Sequence, residues 1–146
     1  MRVLAVVGVG LFAAACEALG TVDPGDDPAV RTANLDLDFY VCRVQPEIVS
    51  EHRCADAEAG ACHASESAYR ITAVDAAYAE TCSDGAMNDP PNEVIANFDA
   101  SINWIFEDVE QSPLLTRPTG IRSHPIVVFD GNSAQADLIR EWAGVR

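Results

Sequence analysis

The chain has 146 residues, a formal net charge of -14 at pH 7 and a pI near 4.3. That length gives one domain with a modest core. The charge makes nucleic acid and anionic lipid surfaces poor partners, and suits solubility or a basic partner protein.

Met1-Arg2 is a minimal positive start, and Val3 to Ala15 is an apolar run too short to span a bilayer as a permanent helix. The run ends Leu11-Phe12-Ala13-Ala14-Ala15-Cys16, which resembles a bacterial lipobox. Residues 1–15 are therefore expected to be a lipoprotein signal peptide, with a lipid on Cys16 tethering the chain to a membrane without spanning it. Glu17 stands where Asp would signal inner-membrane retention, which leans toward the outer membrane. The other reading is an ordinary secretory signal cut near Ala15 or Ala18. Both place the chain outside the cytoplasm, in the periplasm or at the outer membrane, where cysteines oxidise.

Residues 16–35 are rich in acid, Pro and Gly and read as a flexible tether; the folded domain is 36–146. Phe39, Val41, Val44, Ile48 and Val49 form a rough helical stripe. Pro46 either opens that helix or kinks a longer one, and helix is expected at least over Gln45–His52. Tyr69 and Ile71 suggest a short extended segment, and Asp75–Glu80 one or two helical turns. Residues 82–91 are a loop. The apolar spacing of Val94, Ile95, Phe98, Ile102, Ile105 and Phe106 predicts a long helix over Asn92–Glu107. Ser112-Pro113 opens a short helical element that Gly120 ends. Residues 121–129 are extended or loop. A last helix is expected at about 134–143, with Asn132 and Gln135 as a capping box.

The stretch Arg53-Cys54-Ala55-Asp56-Ala57-Glu58-Ala59-Gly60-Ala61-Cys62-His63 carries the chemistry. A Cys-His ending resembles the c-type haem attachment motif C-x-x-C-H. There each thiol adds across a haem vinyl group to form a thioether, and the adjacent imidazole becomes the proximal iron ligand. Here the spacer is seven residues rather than two, so Ala55 to Ala61 must bulge outward. The alternative is a Cys54–Cys62 disulfide, with His63 an ordinary surface residue. His52, nearby, reads most simply as an exposed polar residue.

Taken in order, these pieces resemble a small class I cytochrome c-type domain of the kind carried on bacterial, myxobacterial-type lipoproteins. The residues that carry the resemblance are Phe39 with Val44-Gln45-Pro46 leading to Arg53-Cys54; Cys62-His63; Asn97-Phe98; Ser112-Pro113-Leu114-Leu115 with Arg117-Pro118; His124; and Ile139-Arg140-Glu141-Trp142. The resemblance implies a mostly α fold with irregular loops, its first and last helices packed together beside a haem c. It implies thioethers at Cys54 and Cys62 and iron ligation by His63. It places the distal ligand between the Ser112 element and the last helix, where Met is common; this chain has His124 there, so the carry-over is a bis-histidine site. Met87 is the other candidate, in the wrong frame. With haem on Cys54 and Cys62, Cys42 and Cys82 remain as a disulfide pair; without haem, four mature cysteines allow three pairings.

The function implied is one-electron transfer to a redox partner protein, with no enzymatic turnover. A haem-free, disulfide-stapled lipoprotein with a binding or structural role is the alternative. A zinc site from Cys54, Cys62, His63 and His124 has the right inventory but the wrong compartment. No Gly-x-Ser-x-Gly stands in the chain.

Overall fold

The computed structural model describes residues 35–56, 63–64 and 67–144. The leader 1–15, Cys16, the tether up to residue 34 and Cys62 lie outside the described residues.

The Asp36 carboxylate accepts from Phe39 N–H at 3.0 Å and starts α1, Leu37–Phe39. The chain continues without a break as a π-helix, Tyr40–Ser50, with Pro46 inside it. The helix therefore begins earlier than the expected Gln45, and Pro46 sits within a longer element. Proline has no N–H to give. In a π-helical ladder the carbonyl it leaves unserved is that of Val41, five residues back. The Tyr78 hydroxyl donates to that carbonyl at 2.6 Å. The same register lines up Tyr40, Gln45 and Ser50. Tyr40 donates its hydroxyl to Gln45 Oε1 at 3.0 Å, and Gln45 Nε2 donates to Ser50 Oγ at 3.2 Å.

A 3₁₀ helix, Ala76–Thr81, packs on the π-helix. The Cys42–Cys82 disulfide, with Cα atoms 6.0 Å apart, locks the two together. This is the pairing expected from the sequence. The expected extended segment at Tyr69–Ile71 forms no strand. Instead Asn97 grips the backbone next to it, its Oδ1 accepting from Thr72 N–H at 2.7 Å and its Nδ2 donating to Thr72 O at 2.8 Å.

Helix α2 spans Asn92–Ile102 and buries Val94, Asn97 and Ser101 on one face. It stops five residues short of the expected Glu107. The chain turns at Asn103 and Trp104 and drives Ile105 and Phe106 into the core from a loop. Ser112 holds that turn, its Oγ accepting from Phe106 N–H at 2.9 Å. Its side chain is thus not the cap of α3, Pro113–Thr116, although its carbonyl accepts from Thr116 N–H at 2.8 Å. A short 3₁₀ turn, Val109–Gln111, precedes it.

Helix α4, Ala134–Trp142, buries Ala136, Leu138, Ile139 and Trp142. Ser133 caps it by accepting from Ala136 N–H, so the expected Asn132–Gln135 box is not what starts this helix. It packs on the π-helix, as expected of the first and last helices. Trp142 Nε1 donates to Asp36 O at 2.9 Å, joining the two ends of the domain. Its ring lies 5.1 Å from Tyr40 and 6.1 Å from Phe98. The described residues are mostly helical with no sheet; Ser83 and Ala86 make one isolated bridge. No helix among them is long and apolar enough to cross a membrane.

Candidate functional site

Beside the helical core lies a cavity of about 260 Å³. Its floor is apolar, from the π-helix residues Val44, Ile48 and Val49 together with Ile71, Leu114 and Ile139. Its rim comes from His52, Cys54, His63, Ser67 and Tyr69 on one side and from residues between 117 and 129 on the other. All three histidines of the chain line it, and so does Cys54.

His63 and His124 face each other with ring centroids 5.9 Å apart and planes only 15° from parallel. Each ring is held through Nδ1. His63 Nδ1 is 3.0 Å from Tyr69 O, and His124 Nδ1 is 2.6 Å from Ile126 O. A carbonyl can only accept, so each Nδ1 carries the proton. In a neutral ring that leaves Nε2 with a free lone pair, the arrangement typical of histidines that bind metals. Burial lowers the His63 pKa below its ordinary value; the Tyr69 carbonyl works against this, while the charges of His124 and Arg117 add to it. His63 is therefore biased toward the neutral, ligating form.

The two rings are positioned by different means. Ile71 N–H donates to His63 O at 2.9 Å, and the Tyr69 ring stands edge-on to the imidazole at 5.2 Å. Tyr69 is in turn tied to α2, its hydroxyl 2.7 Å from Ser101 Oγ. Burial raises the Tyr69 pKa, so the phenol stays neutral. His124 rides on a compact loop. Arg122 N–H donates to Thr116 O at 2.9 Å and Val128 N–H to Pro118 O at 2.7 Å, closing the loop at its neck. Gly120 makes its turn at φ +75°, with Val127 packed over the place where a Cβ would be.

Cys54 carries a free thiol, and Cys62, its partner in the alternative disulfide, lies outside the described residues. Burial pushes that thiol up to about 11, which keeps it protonated at neutral pH. No three or more His, Cys, Asp or Glu side chains among the described residues are grouped to hold a metal ion. The zinc reading would need Cys54 to join His63 and His124 in such a group, and it does not. Met87 packs against the helical core and is absent from the cavity lining.

His52 is a correction. It was expected to be exposed; it is half-buried, and its Nε2 is sealed from solvent without a hydrogen-bond partner. The cause is Phe129, whose ring closes in at 5.7 Å from the far end of the chain. No local pattern around His52 reports that contact. Arg117 was noted in the sequence only as part of the resemblance. Its guanidinium lies over the Trp104 ring at 5.8 Å, while its Nε is buried and unpaired. A signal for it does exist: no acidic residue stands between Glu110 and Asp130 in a chain with 23 acids. Leaving a buried polar atom unpaired costs about 1–3 kcal/mol.

Chemically, two neighbouring imidazoles whose Nδ1 atoms carry the proton bring two nitrogen donors to one cavity. A bare zinc ion needs four ligands. Two suffice for a metal already held by four nitrogens in a plane, as in haem. The donor set therefore fits haem, and the free thiol of Cys54 in the same wall fits a thioether. The cavity is slightly below the roughly 300–1,000 Å³ usual for ligand sites. The wall with least behind it is the His124 loop, where Ile121, Ile126 and Val127 are 65–67% exposed. Among known proteins, no family model, curated relative or solved structure matches this chain.

Proposed function

We propose that the chain is an envelope lipoprotein that holds one haem c and passes single electrons to a redox partner protein. The observation that carries the reading is the His63–His124 pair: near-parallel rings 5.9 Å apart, each with Nδ1 tied to a backbone carbonyl. The haem, when bound, supplies a one-electron iron couple. His63 and His124 would hold the iron through their Nε2 atoms. Two histidines on the iron would leave no position for a substrate, which supports a carrier rather than an enzyme. The apolar floor keeps water from the metal. Cys54 supplies one thioether, and Cys62, outside the described residues, is assigned the other.

The Cys42–Cys82 disulfide supports an oxidising compartment. Lipidation at Cys16 is the matching anchor, and the periplasm or outer membrane the matching location.

The test is a haem-stained denaturing gel of the protein made with haem-attachment machinery, followed by visible spectra. The expected result is a stained band and a low-spin spectrum. His124→Ala should keep the stain, shift the spectrum to high spin and allow carbon monoxide to bind the reduced form. His63→Ala should impair haem attachment itself. A colourless wild-type protein would sink the reading and leave the haem-free binding protein in its place.

A further inference from the structure

Among the described residues, two buried side-chain polar atoms have no hydrogen-bond partner: His52 Nε2 and Arg117 Nε. Both residues line the one cavity that holds the histidine pair. Buried polar groups in folded proteins are nearly always satisfied, so unsatisfied ones on a cavity wall mark what the occupant must bring. Arg117 narrows the chemistry. Its guanidinium lies over the Trp104 ring, near enough to His63 to act on its charge, and it makes no ion pair among the described residues. Two arginines line the cavity, and the other one, Arg53, is paired with Asp56. In a chain of net charge -14, an arginine kept clear of acid and turned into an apolar cavity is a reserved cation.

We infer that Arg117, with His52 as a second polar contact, is a carboxylate-binding subsite, and that the cavity takes an apolar body bearing a carboxylate. A guanidinium receives a carboxylate through paired N–H donors, and in an apolar wall such bonds are strengthened. Two ligand classes share this chemistry: a tetrapyrrole with acid side chains and an aliphatic fatty acid. The first rests on the haem reading; the second does not.

The full chain, produced in a host without haem-attachment machinery, is titrated with iron protoporphyrin IX, its dimethyl ester, dodecanoate and dodecanol. Binding is followed by Soret absorbance for the porphyrins and by quenching of tryptophan fluorescence for all four, since Trp104 lines the cavity. The free acid of one pair should bind roughly tenfold to hundredfold better than its neutral partner, the worth of a charge-assisted hydrogen bond. Arg117→Gln should erase that ratio and leave binding of the neutral partner unchanged. Arg117→Lys, which keeps the charge and loses the fork, should keep part of it. If Arg117→Gln does not fold, the acid-to-ester and acid-to-alcohol ratios in the wild type and Arg117→Lys still decide.

A ratio of one in both pairs overturns the subsite. So does an Arg117→Gln variant that weakens acid and neutral partner alike, or a chain that binds no probe. The two readings fail separately. Porphyrins that bind through His63 and His124 with no preference for the acid leave the haem reading standing without the subsite. Dodecanoate preferred over dodecanol, with neither porphyrin bound, leaves the subsite standing without haem.

Discussion

On the helical side of the molecule, Tyr40, Gln45, Asn97 and Ser101 are buried to 1% exposure or less, and every one is hydrogen-bonded, including Tyr40 and Ser101 where they reach the cavity. On the cavity side, His52 and Arg117 bury a nitrogen with no partner. On the first side, polar atoms meet each other across a π-helix and α2. On the second, they line a cavity with exposed aliphatics at its mouth. Half-satisfied buried networks are costly, and folded chains rarely keep them without a use. The contrast separates a scaffold complete in itself from a rim completed by an occupant.

The comparison breaks most severely if the scaffold is weaker than it looks. Trp142→Ala removes a buried ring that touches Tyr40 and Phe98 and takes one of the two donors from Asp36 O, which keeps the Tyr40 N–H. Destabilisation of about 3–5 kcal/mol is expected, read as a shift in denaturant midpoint. A loss below about 1 kcal/mol would mean that the helical side is not the stable half. The Cys42→Ala/Cys82→Ala pair should cost about 2–5 kcal/mol, because the bridge closes a separation of 40 residues in a small domain. Reduction of the wild type should reproduce that loss.

Both of those features were legible in the sequence. The α4 stripe of Ala136, Ile139 and Trp142 has a clean helical period, and the cysteine pairing followed from parity once two thiols were assigned to haem. The His63–His124 juxtaposition came from resemblance alone. What could not be read depends on distant partners. The π register of Tyr40–Ser50 relies on Tyr78 covering the Val41 carbonyl. The early end of α2 relies on Ser112 accepting from Phe106 N–H, since Ile105 and Phe106 keep a helical spacing yet reach the core from a loop. The burial of His52 relies on Phe129, 77 positions away in the chain. Periodicity reports an element's own faces and not what a later loop lays over them.

The rim can be perturbed without touching the scaffold. Gly120 holds φ +75°, and a Cβ there would stand 2.8 Å from Val127 Cγ2. Val127 is 67% exposed and can move aside, so the backbone conformation sets the main cost. Gly120→Ala should therefore cost about 1–2 kcal/mol, confined to the loop. Amide exchange should accelerate over residues 117–129 and stay unchanged in α2 and α4. Acceleration in all of them would show that rim and scaffold open as one unit.

The smallest expected effect is on acid stability, and it belongs to His63. Burial holds its pKa below the ordinary 6.5, and the cations of Arg117 and His124 push the same way. Below pH of about 6.5 the unfolded chain then binds the proton more readily than the folded one. Stability from this group is fully present above that pH and is lost as pH falls through the depressed folded value. Protonation also takes Nε2, the atom proposed above to hold the metal. In the chain without cofactor, the midpoint of thermal unfolding should drop more between pH 7.5 and 5 for the wild type than for His63→Gln, whose amide does not titrate. Equal drops would assign the acid sensitivity to the carboxylates of the scaffold instead, for example Glu110, whose pKa is lowered by its bond to Arg140.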